Sequence, residues 1–124
     1  MTDYIITATG DTAGIEFNVS KGLFLIAGKS LPEDADLFFD GAIKWVKLYK
    51  SSPNPVTKVL CKLEYFNTAS SKKIMDLLNE FKQVPGNVSV EWQYMMDDDD
   101  MEEIGKEFAD LLGIPFSFNM VPSF

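Results

Sequence analysis

The 124-residue chain contains no histidine. This absence excludes a Ser-His-Asp triad, a cysteine–histidine pair, a histidine general base and the common zinc sites, because each of them needs an imidazole. Catalysis through carboxylates, lysine or tyrosine stays open. The absence of histidine nevertheless makes an enzyme less expected. We predict a protein that is not an enzyme and that uses no cofactor.

Cysteine and long apolar runs are also scarce. Cys61 is the only cysteine and cannot form an internal disulfide, which is compatible with the reducing cytoplasm that we expect as its location. No segment reaches the roughly 20 apolar residues of a membrane span. The N-terminal residues lack the basic and apolar regions of a signal peptide. We therefore expect no association with a membrane.

Basic residues are outnumbered, with 11 Lys and Arg against 19 Asp and Glu, so that the net charge is −8. A surface of this sign repels phosphate groups, so nucleic acid and anionic lipid are not expected partners. The hydrophobic fraction of 46% is typical of a packed protein rather than a disordered one. The length predicts one domain over residues 1–124.

The order of predicted elements is β-β-β-α-β-α-β-α-β. Three short runs with closely spaced turns predict an antiparallel meander that begins with "YIITATG", and the later alternation of helices and strands predicts parallel pairing. The first helix is expected over residues 34–50. In the strand "VSVEWQY", Trp92 and Tyr94 should point inward, and Glu91 and Gln93 should point to the opposite, polar face. This alternation predicts a two-layer α/β domain with a mixed sheet and helices mainly on one face.

Two leucines fall outside the apolar face of the first helix. Leu37 and Leu48 lie on its opposite side, near Gly41. They are either ordinary surface leucines or a small patch for a partner.

An acidic run precedes the third predicted helix. Residues 97–100 are all aspartate, and Glu102 and Glu103 follow. Such oxygens suit a hard cation, and a metal-dependent enzyme using residues 97–103 is one alternative function. The spacing matches no calcium-loop motif, however, and carboxylates at a helix start cap the helix and interact favourably with its dipole. We therefore predict a helix start and no metal site.

Hydroxyl groups are concentrated between a strand ending near Tyr65 and the second helix. The segment contains Asn67, Thr68, Ser70 and Ser71, although one capping side chain is enough for a helix. A strand-to-helix corner also favours anions, since free N–H groups and the positive end of the helix dipole point there. The cluster is thus either a cap or a phosphorylation site that changes which partners can approach.

The same segment resembles a known family. "LEYFNTASSKKIMDLL" is similar to the strand–loop–helix of the SiaC family of bacterial regulatory phosphoproteins, whose hallmark is a Tyr-x-Asn-Thr-[Ser/Ala]-Ser motif. The resemblance continues in "GKSLPEDADLFF", at Trp45, and in "VSVEWQY" and "EEIGKEFADLLGIPFSF", whereas the N-terminus and "MMDDDD" depart from it. It implies a STAS-like fold, similar to anti-anti-sigma proteins, and a role in partner switching.

The resemblance also implies site residues and partners. Thr68 would be phosphorylated by a cognate Ser/Thr kinase and dephosphorylated by a PP2C-type phosphatase. The unphosphorylated form would bind and activate a GGDEF diguanylate cyclase, which links the protein to cyclic-di-GMP and biofilm regulation. In this scheme Ser70 or Ser71 caps the helix, Asn67 shapes the turn, and Thr68 is at least partly exposed. The alternative is a constitutive interaction subunit in which the hydroxyls serve only as caps.

Overall fold

The computed structural model describes residues 1–124 and contains six strands and three helices. In chain order these elements are β1 (Tyr4–Ile6), β2 (Gly14–Asn18), β3 (Leu23–Ser30), α1 (Ala35–Tyr49), β4 (Val56–Phe66), α2 (Thr68–Lys82), β5 (Asn87–Met95), α3 (Asp99–Leu112) and β6 (Phe116–Val121). No helix combines the length and the apolar character that a membrane crossing requires.

The strands form one mixed sheet in the order β1-β2-β3-β4-β5-β6. The first three strands pair antiparallel and the others pair parallel, which confirms the predicted meander and the predicted crossovers. Strand β1 ends at Ile6, earlier than the run "YIITATG" predicts. The hydroxyl of Thr9 accepts from the N–H of Thr12 at 2.9 Å, and this local turn replaces the ladder hydrogen bonds.

The helices cover one face of the sheet and enclose an aromatic-rich core. The largest fully buried side chains are Trp92, Tyr49, Phe17, Phe24, Phe39 and Phe81. Helix α3 lies over β5, where the Trp92 indole N–H donates to the carbonyl of Met101 at 3.0 Å. Gly105 makes this approach possible, because a Cβ on it would lie 2.5 Å from the indole nitrogen. The predicted two-layer arrangement is therefore confirmed.

The opposite face of the sheet is polar around β5, as the alternation predicts. Tyr94 packs against the core, whereas Glu91 and Gln93 lie on the open face. The Glu91 carboxylate lies 2.7 Å from the Lys58 ammonium and accepts from the Gln93 amide at 2.6 Å. These two hydrogen bonds, that of Lys58 first, lower the pKa of Glu91 to about 2.

Helices α1 and α3 begin at aspartate caps. Asp34 accepts from the N–H of Leu37, and Asp98 accepts from the N–H of Met101, each at 3.0 Å. The helix-start interpretation of the acidic run is thus confirmed. No group of three or more His, Cys, Asp or Glu side chains is arranged to hold a metal ion.

Candidate functional site

The candidate site is the corner where β4 ends and α2 begins. Strand β4 pairs with β3 up to Phe66, and Asn67 keeps an extended backbone. The Asn67 side-chain oxygen accepts from the N–H of Ser70 at 2.9 Å, so Asn67 is the cap of α2. The prediction that Ser70 or Ser71 caps the helix is wrong, because both residues already lie within the first helical turn.

Ser70 has a different role, since its side chain is fully buried. The Ser30 hydroxyl donates to the Ser70 hydroxyl at 2.9 Å. The backbone strengthens the same connection, because the N–H of Asn67 donates to the carbonyl of Ser30 at 3.2 Å. The end of β3 thus holds the first turn of α2 through two hydrogen bonds. Sequence reasoning missed Ser30, which lies 40 residues before Ser70. It belongs to the family-like segment "GKSLPEDADLFF", but nothing in that segment indicates a contact with α2.

Thr68 is the first residue of α2, and its side chain is exposed. The predicted exposure is therefore confirmed, whereas its phosphorylation stays a prediction. The N–H of Ser70 bonds the Asn67 side chain and that of Ser71 bonds the Asn67 carbonyl at 2.9 Å. The N–H groups of Thr68 and Ala69 have no acceptor within the helix and are available to an anion.

The electrostatics of this first turn differ from those of the other helices. Helix α1 carries one acidic residue in its first turn and α3 carries three, but α2 carries none. Lys72 is exposed and lies one helical turn after Thr68. Lys73 is directed to α1, with its ammonium 3.6 Å from the carboxylate of Asp36. A negative group on Thr68 would therefore meet a helix dipole and a lysine rather than a carboxylate of its own turn.

Exposed apolar side chains lie at the same edge of the sheet. Parallel strands end at one edge, where the helices that follow them begin. Leu31 follows β3, Tyr65 lies near the end of β4 and is 54% exposed, and Met96 follows β5. We call Leu31, Tyr65, Thr68 and Met96 the carboxyl edge. Sequence reasoning did not identify Leu31, Tyr65 and Met96 as a group. The predicted alternation of parallel strands and helices could have done so, because it places the ends of β3, β4 and β5 at the same edge.

The two leucines predicted to lie outside the apolar face of α1 are exposed: 75% of the Leu37 surface and 68% of the Leu48 surface is accessible to solvent. They are eleven residues apart, so about 16 Å of helix separates them. Leu37 lies in the first turn, beside the ion pair to α2, and Leu48 lies in the last turn. They do not form one compact patch.

Two cavities lie away from the corner. One, of about 390 Å³, lies between the N-terminal residues and the last turn of α1, where Met1, Trp45 and Leu48 line it. The other, of about 310 Å³, lies on the open face of β1, β2 and β3, beside Ile5 and Leu25. Neither is lined by Thr68, so the candidate site is part of the outer surface.

The fold and this corner define a class of protein: a two-layer α/β domain that presents an exposed hydroxyl where a strand meets a helix. A family model described as SiaC family regulatory phosphoprotein matches residues 6–122. The chain therefore belongs to the SiaC family of regulatory phosphoproteins.

Individual relatives agree with this assignment. An uncharacterised protein of Pseudomonas aeruginosa (strain UCBPP-PA14) is 30% identical over 120 residues, which cover 94% of this chain and 95% of that protein. The crystal structure of apo-SiaC from Pseudomonas aeruginosa superimposes with a TM-score of 0.86 at 28% identity, covering 96% of this chain and 99% of that one. A chain in the crystal structure of the diguanylate cyclase SiaD in complex with its activator SiaC, from the same organism, gives a TM-score of 0.88 at 26% identity, covering 96% and 100%. This chain thus shares the fold of proteins that include a cyclase activator.

Proposed function

We propose that this protein is a non-enzymatic signalling switch whose binding to a target is controlled by reversible phosphorylation of Thr68. By analogy with the complex of SiaD and SiaC, the target is a GGDEF diguanylate cyclase, which the unphosphorylated form binds and activates. A kinase and a PP2C-type phosphatase set the phosphorylated fraction and thereby cyclic-di-GMP production. The observation that carries the proposal is the exposed Thr68 hydroxyl at the start of α2.

Phosphorylation at this position is compatible with the fold. A phosphate on Thr68 would lie at the positive end of the helix dipole, near the free N–H groups of Thr68 and Ala69. The first turn of α2 keeps its own hydrogen bonds when Thr68 is modified. The Ser70 hydroxyl stays bonded to Ser30 of β3, and the Asn67 side chain stays bonded to the N–H of Ser70 as the cap. The modification therefore changes the surface and leaves the fold in place.

The same phosphate is incompatible with an apolar contact at the carboxyl edge. It adds about 1.5 to 2 negative charges and three strongly hydrated oxygens. A target that packs on Leu31, Tyr65 and Met96 would have to desolvate this dianion, at a cost of several kcal/mol (about 2–7 for even a neutral polar group) unless an arginine compensates. Phosphorylation of Thr68 therefore weakens binding of such a target strongly.

Calorimetric titration of the diguanylate cyclase from the same genome tests the switch. Unmodified protein and Thr68→Ala should bind the cyclase. Phosphorylated protein should bind it at least about 30-fold more weakly, because the desolvation penalty is above about 2 kcal/mol. Thr68→Asp should show part of this loss. Asn87→Asp, which adds the same charge at an exposed position at the start of β5, the opposite end of that strand from Met96, is the matched control and should bind like the unmodified protein. Equal affinities of the unmodified and phosphorylated forms would refute the switch and leave a constitutive subunit.

The two α1 leucines are a second, separable part of the proposal. If the target contacts α1 along its length, changing both Leu37 and Leu48 to serine should weaken binding and leave the melting temperature nearly unchanged, since both side chains are exposed. The single variants distinguish a target that reaches only the carboxyl edge, for which Leu37→Ser alone should matter. Unchanged affinity of the double variant would show that both are ordinary surface leucines.

A further inference from the structure

Strand β6 is an open edge of the sheet that lacks the usual protection. It pairs with β5 only, whereas the other edge strand, β1, is three residues long. Edge strands are normally protected by charged side chains, prolines, bulges or short length. The nearest prolines, Pro115 and Pro122, lie just outside β6, whose own residues include none. Residues 111–124, which contain β6, include no charged residue. This edge is therefore able to accept another strand.

The backbone of β6 presents a regular set of free groups at this edge. The N–H of Val90 donates to the carbonyl of Pro115 at 2.9 Å, and the N–H of Met96 donates to the carbonyl of Val121 at 2.8 Å. Successive residues of a strand direct their backbone groups to alternate sides. The N–H and C=O groups of Phe116, Phe118 and Met120 therefore point away from β5, in the plane of the sheet and beyond its edge.

The side chains of the same three residues extend the apolar layer beneath the helices. Phe116 lies 6.3 Å from Trp92, centroid to centroid, and Phe118 lies 5.9 Å from Phe116. Helix α3 covers Trp92 on β5, so the outermost strand is only partly covered, and Met120 stays 59% exposed. An added strand would thus find both backbone partners and apolar surface.

The charge beside this edge indicates what kind of strand would bind. Residues 97–112, which include α3, carry eight acidic side chains and one basic one, a net charge of −7 out of the −8 of the whole chain. This acidic helix flanks β6, and its field attracts lysine and arginine. A second copy of this chain would instead bring a second acidic helix to the same edge.

We propose that β6 binds an extended, basic segment of a partner protein, which adds to the sheet as a seventh strand. Apolar side chains at alternate positions of the segment contact Phe116, Phe118 and Met120, and its lysines or arginines interact with α3. This surface is two strands away from the strand that leads to Thr68, so it adds a binding site to the proposed switch and does not depend on it.

The test is an NMR titration of the ¹⁵N-labelled protein with a blocked peptide of three Val-Thr repeats flanked by two lysines at each end. At saturation we expect amide exchange at Phe116, Phe118 and Met120 to slow by about tenfold or more. Binding should weaken as salt is raised, because charges are screened over about 10 Å at 0.1 M. A peptide with glutamate flanks should fail to give this protection. A lysine-flanked peptide with an N-methyl group on every residue of the Val-Thr repeats should also fail, because neither of its edges can then donate to β6.

Met120→Pro is the matched protein variant. It removes one outward-facing N–H and leaves the ladder to β5 intact, so it should fold normally and bind the lysine peptide several-fold more weakly. Absence of exchange protection by the lysine peptide, or equal protection by the glutamate or N-methylated peptide, would overturn the proposal. Protection of β6 amides that grows with protein concentration alone would also overturn it, in favour of a second copy as the occupant.

Discussion

The hydrogen bond between Ser30 and Ser70 offers a quantitative test of how the corner is held. Both side chains are fully buried, and their oxygens lie 2.9 Å apart. Changing either serine to alanine leaves the other hydroxyl buried without its partner, which costs about 1–3 kcal/mol. Changing both removes donor and acceptor together, which is nearly neutral when the shape is kept. We therefore expect each single variant to lose about 1–2 kcal/mol of unfolding free energy and the double variant to lose less than either.

Urea unfolding followed by tryptophan fluorescence measures these free energies, because Trp45 and Trp92 are both buried in the folded state. With a slope of about 2 kcal/mol per molar urea, each single variant should shift the midpoint by about 0.5–1 M. Ser71→Ala, in the same turn but outside the bonded pair, should shift it little. Additive losses, with the double variant as unstable as the sum of the singles, would refute the reasoning.

Three further predictions concern named contacts. Gly105→Ala should destabilise the protein in urea unfolding, because overpacking against Trp92 costs about 1–3 kcal/mol and exceeds the roughly 1 kcal/mol that helix propensity returns. Gly41→Ala should be better tolerated, because the new carbon meets the far end of the Tyr4 side chain, with the hydroxyl at 2.5 Å and two ring carbons at 3.2 Å, and Tyr4 is only partly buried. The reverse order would contradict the packing. The hydrogen bonds that lower the pKa of Glu91 stabilise the fold above the unfolded pKa near 4.5, and this contribution is lost as the pH falls toward about 2. Glu91→Gln should therefore flatten the dependence of the unfolding free energy on pH over that range. An unchanged pH profile would contradict the assigned pKa. Asn67→Ala should lower the unfolding free energy by about 1 kcal/mol because the capping hydrogen bond is lost, whereas Asn67→Asp should keep both the cap and the stability. Equal stability of the wild type and both variants would exclude a capping role.

Features that depend on a few consecutive residues could be predicted from the sequence. The spacing of Ile74, Leu77, Leu78 and Phe81 predicts the buried stripe of α2, and all four are buried. The alternation around Trp92 likewise predicts the inward and outward faces of β5. Such patterns succeed because a helix and a strand each impose their own period on the side chains, whatever the rest of the chain does. The family motif at Thr68 is local in the same sense.

The choice among equivalent residues was decided only by tertiary structure. The segment contains three residues of types that cap helices, Asn67, Ser70 and Ser71. Asn67 is the cap because it directly follows the end of β4, and the pairing of β4 with β3 decides where that end lies. The burial of Ser70 against Ser30 joins residues 40 positions apart, so no local pattern could indicate it. The open edge at β6 is likewise a property of strand order, because a strand becomes an edge only when no other strand pairs with its far side.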